Sequence, residues 1–164
     1  MIVWLARAWE GIDIYHLVKA AFFADKMHIT EYGRPIYGDN YDAAPYGPLA
    51  QVIYRLLRRD PIEILAVGGN GELPFRVDSS FAVHATREPN LRKLSASDIE
   101  ALRVGLEHVR GKSFDDIFNE THDDPAYLRA EGSRMDYRDF IPDDDPMAEE
   151  KRQDIFETAA FLVI

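Results

Sequence analysis

No cysteine occurs among the 164 residues. Disulfides, zinc–cysteine sites and thiol nucleophiles are thereby excluded. Long apolar runs are missing as well, since nothing approaches the roughly 18 residues of a membrane span. The opening Met1-Ile-Val-Trp-Leu5 lacks a basic segment and soon meets Arg7 and Glu10, so it does not read as a secretory signal. These absences make the cytoplasm the default expectation, with no membrane partner. Internal repeats and low-complexity linkers are also lacking. With 46% apolar residues, a chain of this length has enough material for one core, and residues 1–164 read as a single domain.

A basic surface is lacking too. The formal net charge is −10. Residues 1–113 hold 14 acidic and 14 basic side chains, whereas residues 114–150 hold 13 acidic and 3 basic. The whole imbalance sits in that second stretch, which contains Asp115-Asp116, Asp123-Asp124 and Asp143-Asp144-Asp145. Such a surface repels phosphate backbones, so no nucleic-acid partner is expected. It would steer a basic protein toward itself, or serve only as a solvated acidic face. Arg55, Arg58 and Arg59 form the one basic cluster, too short for a DNA-recognition helix.

What is present reads as α+β and mostly α-helical: a helical bundle with a small inserted antiparallel sheet or hairpins. Ile2 to Trp9 has helical character, and Gly11 can end it. Asp13 is an N-cap candidate for a helix carrying Ile14, Leu17, Val18, Ala21, Phe22 and Met27 at helical spacing. Gly33 suits the left-handed residue that stops it. Pro35-Ile36-Tyr37 and Tyr41-Asp42-Ala43 flank Gly38-Asp39-Asn40, a hairpin signal. Pro45 and Pro48 constrain Tyr46-Gly47, and a helix with Leu49, Val52, Ile53, Leu56 and Leu57 follows, ending at Asp60-Pro61. Residues 62–86 read as two or three short strands, from Ile62–Val67 and from the alternation Phe75, Val77, Phe81, Val83. Ser95 with Asp98 resembles a capping box, and its helix is closed by Gly111. Ser113 caps a shorter helix, Tyr137, Phe140 and Ile141 suggest one more turn, and Asp145-Pro146 reads as a cap with proline at the first position of a final helix running to about Leu162.

No spacing forces a particular chemistry. Gly68-Gly69-Asn70-Gly71 lacks the Lys-Ser/Thr ending of a phosphate loop and reads as a hairpin turn. The histidines 16, 28, 84, 108 and 122 show no ligand spacing, so no metal and no cofactor is expected. No Gly-x-Ser-x-Gly elbow occurs. Asp25 and His28 share a helix face, while Glu120 and His122 would form an acid–base pair only in a cleft that gathers them. Asp25, Lys19 and Arg34 read as members of a buried or half-buried structural network, with Asp25 holding a cation or the following backbone. A hydrolase using His28 or His122 with nearby carboxylates stays open as the enzyme alternative, though no catalytic residue set is expected.

The order of short motifs resembles the Panacea domain, also called the SocA-like antitoxin domain. Leu17-Val-Lys19-Ala-Ala-Phe-Phe23-Ala-Asp25 is similar to that family's LLKLLYFAD helix. Tyr32-Gly33-Arg34-Pro35-Ile36-Tyr37-Gly38-Asp39 resembles YGRPITGD. Ala44-Pro45-Tyr46-Gly47-Pro48 resembles the KYGPV corner, departing at Pro45 and Leu49. Leu94-Ser95 with Asp98 is similar to LSESD, and Lys112 to Ile117 with Thr121-His122 and Pro125-Ala126-Tyr127 resembles the closing segment. The resemblance covers about residues 12–130. It implies an antitoxin of a type II toxin–antitoxin system, with a part in phage defence, that neutralises a cognate toxin encoded alongside it by direct protein binding. It also implies the alternative of a proteolytic adaptor that delivers the toxin to a protease. Added DNA-binding domains occur in some relatives, and none is expected here. The residues singled out are Asp13, Lys19, Asp25, Gly33, Arg34, Pro35, Tyr46, Gly47, Pro48 and His122, with Asp115, Asp116, Asp123, Asp124, Asp143, Asp144 and Asp145 as partner-binding candidates. Homo-oligomer formation stays open.

Overall fold

The computed structural model describes residues 1–67 and 72–161, without the side chains of 158–161. The expected turn at Gly68–Gly71 and the expected helix end at Leu162 lie outside the described residues. In chain order the elements are α1 (Ile2–Ala8), β1 (Ile12–Asp13), α2 (Ile14–Tyr32), β2 (Tyr41–Ala44), β3 (Gly47–Ala50), α3 (Gln51–Leu57), α4 (Pro61–Ala66), β4 (Phe75–Val77), β5 (Ala82–Ala85), α5 (Ala96–Val109), α6 (Phe114–His122), α7 (Pro125–Arg129) and α8 (Ala148–Phe161). Two 3₁₀ turns, Leu91–Lys93 and Tyr137–Phe140, complete the set. The architecture is α+β and mostly helical, as the sequence reads.

Helix α2 is the axis of the molecule. The Asp13 carboxylate accepts from the His16 amide at 2.9 Å, satisfying one of the free N–H groups of the first turn. Gly33 ends the helix with φ 69°, a left-handed conformation that costs glycine little. Between these caps the helix buries Leu17, Val18, Ala20, Ala21, Phe22, Ala24 and Ile29, and also Lys19, Asp25 and His28. Helix α5 lies against it at backbone contact. A Cβ on Gly105 would stand 2.3 Å from the Ala20 carbonyl oxygen and 2.6 Å from the Ala24 nitrogen. Ala20, Ala24 and Gly105 are thus small because two helix backbones meet there. Helix α5 opens on the expected capping box, with Ser95 and Asp98 each accepting the other's backbone N–H. Ser113 and Asp116 repeat the device on α6.

The strands form two small antiparallel sheets. One has the order β1-β5-β4, with Ile12 opposite Val83 and Phe75 opposite Ala85. The other is the hairpin β2–β3, with Tyr41 opposite Ala50 and Ala44 opposite Gly47.

Five local expectations are corrected. The hairpin turn lies at Ala44–Gly47, not at Gly38-Asp39-Asn40, and Pro35–Tyr37 is not a strand. The Asp39 carboxylate is taken by the amides of Val52 and Ile53 at 2.8 and 2.9 Å, so it caps α3 from across the chain instead of shaping a local turn. Leu49 belongs to β3, and α3 begins only at Gln51. Ile62–Val67 is helical through Ala66, because Asp60 accepts from the Ile62 amide at 2.9 Å with Pro61 in the first turn. Asp60-Pro61 therefore starts a helix as well as ending one. Phe81 lies outside the strands, in a turn where Asp78 accepts from the amides of Ser80 and Ala82. Finally, α8 begins at Ala148, and Asp145 caps the turn ahead of it by accepting from the Met147 amide at 2.8 Å.

Candidate functional site

Two groups of ionisable side chains hang from α2, and they differ in how completely they are partnered. The first lies toward the end of the helix. The Asp25 carboxylate accepts from the Ile36 amide at 2.7 Å and from the Tyr41 hydroxyl at 2.8 Å. Three residues later along the helix, His28 Nδ1 meets the Arg34 carbonyl at 2.7 Å, and Nε2 lies 3.1 Å from Ser97 Oγ and 3.2 Å from Asp98 Oδ1. Arg34 donates to Asp98 at 2.9 Å. Asp25 and His28 are completely buried. Burial pushes the Asp25 carboxyl up to about 6, against the lowering effect of its two donors. The same desolvation, with Asp25 alongside, drives the Tyr41 phenol well above its ordinary range. This network pins residues 34–41 to α2 and α5, so Asp25 holds backbone, as the sequence suggests.

The second group lies one and a half turns earlier. Tyr15, Val18 and Lys19 project from one face of α2 toward the β2–β3 turn. Lys19 is 2% exposed. Its Nζ donates to the Pro48 carbonyl at 2.7 Å and sits 5.2 Å from the centre of the Tyr15 ring. No carboxylate pairs with it among the described residues. Desolvation draws the Lys19 ammonium from an ordinary 10.5 down to about 7. The Tyr15 hydroxyl is buried with no hydrogen-bond partner among the described residues, and burial with Asp13 and Asp115 nearby pushes its phenol up to about 12.

Gly47 closes over this pair. Its φ is +86°, and a Cβ there would stand 2.5 Å from Thr121 Oγ1 and 3.0 Å from Lys19 Nζ. Glycine is required both by conformation and by space. Thr121 is fixed below by its hydroxyl's bond to the Ile117 carbonyl at 2.8 Å. The result is a cavity of about 500 Å³ between the start of α2, the β2–β3 hairpin and the turn before β5, with Lys19 in its lining.

The mouth of this cavity is aromatic and exposed. Tyr46 is 66% exposed and Phe81 55%. Phe81 has φ 65°, a left-handed conformation that is strained for a bulky residue. Arg58 lies over its ring at 5.8 Å. From Tyr46 an aromatic strip continues to Phe114, with centroids 6.1 Å apart, then to Phe118 and His122 at 5.8 and 3.8 Å. Tyr127 ends it, and its hydroxyl holds the Ala44 carbonyl at 2.9 Å.

Of the residues singled out in the sequence, Lys19, Tyr46, Gly47 and Pro48 converge here, Asp13 lines the same cavity, and His122 stands along the strip. Asp25, Gly33, Arg34 and Pro35 belong to the closed network or its flank. Glu120 is not brought to His122. It pairs with His108 at 2.6 Å and Lys112 at 2.7 Å, while His122 Nδ1 meets the Phe118 carbonyl. His28 does lie beside a carboxylate, Asp98 at 3.2 Å, inside the closed network, whereas His122 meets the Phe118 carbonyl and carries no ion pair among the described residues. No group of three or more metal-binding side chains occurs among the described residues.

The acidic stretch divides. Asp124 is buried, caps α7 and pairs with Lys26, so it is no part of an open surface. Asp116 caps α6. Asp143 pairs with Arg129 and Arg152, and Asp145 with Lys151. Asp115, Asp123 and Asp144 are exposed and carry no ion pair among the described residues. Tyr15, Phe81 and Phe114 escape sequence reasoning as site residues. Only Asp78-Ser-Ser80, a turn-forming run, hints that Phe81 is lifted out of a strand.

The family profile described as Antitoxin SocA-like, Panacea domain, matches residues 17–127. The chain belongs to this family. The matched span of the Panacea domain contains Lys19, the Tyr46-Gly47-Pro48 corner, Phe114 and the α2–α5 pair, and it stops short of α8. Membership supports a toxin–antitoxin role in general, with a toxin as the partner in general. No curated protein and no solved structure matches the chain. No described helix is long and apolar enough to cross a membrane.

Proposed function

We propose that this Panacea domain is the antitoxin of a type II pair and neutralises a cognate toxin by direct contact, in the cytoplasm, with the toxin encoded alongside it. The contact face is the aromatic mouth of the Lys19 cavity. One observation carries this reading: Tyr46, Phe81 and Phe114 stand exposed around the corner where the family's Lys19 and Tyr46-Gly47-Pro48 meet. Exposed aromatics around a pocket are what binding hot spots are made of. Holding Phe81 in a left-handed conformation costs on the order of 1–3 kcal/mol, and this conformation accompanies a ring that is exposed in the lining of the cavity. Asp115 follows Phe114, whose ring packs against Tyr15 and Tyr46 at this mouth, and with Asp123 and Asp144 it supplies negative charge without an ion pair among the described residues to steer a basic partner.

The test is co-expression with the product of the adjacent reading frame. That product alone should arrest growth, and wild-type antitoxin should restore it while co-purifying with the toxin. A harmless neighbour, or one that still arrests growth beside abundant antitoxin, contradicts the reading. Loss of toxin from the cells during rescue, dependent on a protease, would identify the adaptor mode instead of simple inhibition.

A further inference from the structure

Lys19 poses a problem that toxin neutralisation alone does not answer. An ammonium group sits 98% shielded, with one acceptor among the described residues, the Pro48 carbonyl, for its three N–H groups. Burying a charge without a partner costs several kcal/mol, and unpaired buried donors are uncommon. The Tyr15 hydroxyl, in the lining of the same cavity, has no acceptor among the described residues either. The other lining charges do not supply one. The Asp13 carboxylate is already engaged by the His16 amide and ring at 2.9 and 2.6 Å, and Arg58 adds a second cation that has no ion pair among the described residues. The cavity is therefore rich in unmet donors and positive charge, within walls of Ile14, Val18, Leu49 and Phe81.

We propose that the Lys19 cavity is a binding site for a carboxylate carried on an aromatic or aliphatic body, with the carboxylate on Lys19 Nζ and the body among the apolar walls. A carboxylate fits better than a phosphate. The start of α2 is closed by its own Asp13 cap, so no helix N-terminus or cluster of free amides is offered to a dianion. One recessed amine and a phenol match a singly charged planar group, and the volume suits a body of drug-like or side-chain size. The carboxylate can belong to a small free acid or to the end or an acidic side chain of a protein segment. The site stands on the unmet donors, so it does not depend on the toxin reading.

Titration of the full chain with phenylacetate, followed by lysine and tyrosine NMR resonances, tests this. Phenylacetate should saturate, with Kd of about 1 mM or tighter, and shift the resonances of Lys19 and Tyr15. Phenylacetamide, equal in shape and uncharged, should bind at least about tenfold more weakly. Inorganic phosphate should not compete. Lys19→Met, which keeps the apolar stem, should abolish the preference for the acid, and the acid–amide comparison on the wild type needs no variant at all. A peptide ending in phenylalanine as the free acid, set against its amidated form, identifies the source. Tighter binding of the free-acid peptide than of phenylacetate assigns the site to a protein terminus, and the reverse assigns it to a small acid. Equal binding of acid and amide, competition by phosphate, or no saturation overturns the proposal, and none of these results bears on whether a toxin is neutralised.

Discussion

The two ionisable groups on α2 are built from similar parts and finished differently. At Asp25 and His28 each side-chain polar atom has a named partner, and the ring of contacts closes through Arg34, Tyr41 and Asp98. At Lys19 and Tyr15 the ring stays open: among the described residues one carbonyl serves the amine and nothing serves the phenol, and the roof is a glycine corner flanked by exposed aromatics. A closed polar network over-determines the backbone it holds. An open one stores unmet interactions that another molecule can complete. The closed group therefore holds the fold, and the open group is the one available to a partner.

Both groups depend on α2 lying against α5, so the largest effect should come from separating those helices. Gly105→Ala in an ordinary helix would stabilise by about 1 kcal/mol. Here the added methyl meets the Ala20 carbonyl and the Ala24 nitrogen, backbone that cannot give way, so the sign should reverse and the loss should reach about 4 kcal/mol. Chemical denaturation measures it; a stabilised variant would mean that the helices do not touch there.

Asp25→Ala breaks the closed group alone. It strands the Tyr41 hydroxyl and the Ile36 amide in the interior, partly offset by removing a desolvated carboxylate. The expected loss is about 2–3 kcal/mol, or roughly 4–12 °C in Tm for a domain of this size. Asp25→Asn, which still accepts from one donor, should lose less. Equal melting of all three proteins would show that the network is not what holds residues 34–41.

The open group should respond to pH with the opposite logic. Lys19 falls from an ordinary 10.5 to about 7 in the folded chain. Between those values the unfolded chain binds more protons, so stability rises with pH across the window. The contribution is complete above 10.5 and is lost as pH falls through 7. Lys19→Met has no such group, so its advantage over the wild type should grow as the pH is lowered from about 10 to 7. Melting temperatures of both proteins across that range check it, and parallel curves would place Lys19 in contact with solvent or an unseen counter-charge.

Much of this was legible beforehand, and the limits are physical. Caps are local, so Asp13, Gly33, Ser95 with Asp98, and Ser113 were readable from a few adjacent residues and stand where expected. Features set by distant groups were not. Asp39 sits in a run that looks like a turn, yet its partners are the amides of α3. Ile62–Val67 is apolar enough for a strand, but the Asp60 cap decides for helix. Gly105 shows nothing in sequence of the backbone it must admit. At the site, the sequence groups Lys19 with Asp25 and Arg34, whereas packing separates it from them and sets its amine on the Pro48 carbonyl; the Tyr15 hydroxyl, without a partner among the described residues, and the lifted Phe81 ring follow only from packing.

The smallest expected effect sharpens the contrast most. Phe81→Gly relieves a left-handed backbone that glycine adopts freely, so the fold should gain about 1 kcal/mol. The same change removes an exposed ring and the Arg58 contact from the cavity mouth, so toxin affinity should drop by about tenfold. Thermal melting and a binding titration together read both signs. A loss of stability with unchanged affinity would make Phe81 a structural residue and the strain incidental.

The central claim, that the open aromatic mouth is where the toxin binds, meets its most direct test in paired surface variants of one antitoxin. Tyr46→Ser with Phe114→Ser removes two exposed rings of the mouth. Ile62→Ser with Leu65→Ser removes two apolar side chains of α4 that are 76% and 72% exposed. With melting temperatures within a few degrees of the wild type, growth rescue and co-purification of the toxin should be lost in the first pair and kept in the second. Rescue intact in the first pair and lost in the second would contradict the account and move the toxin-binding face to α4.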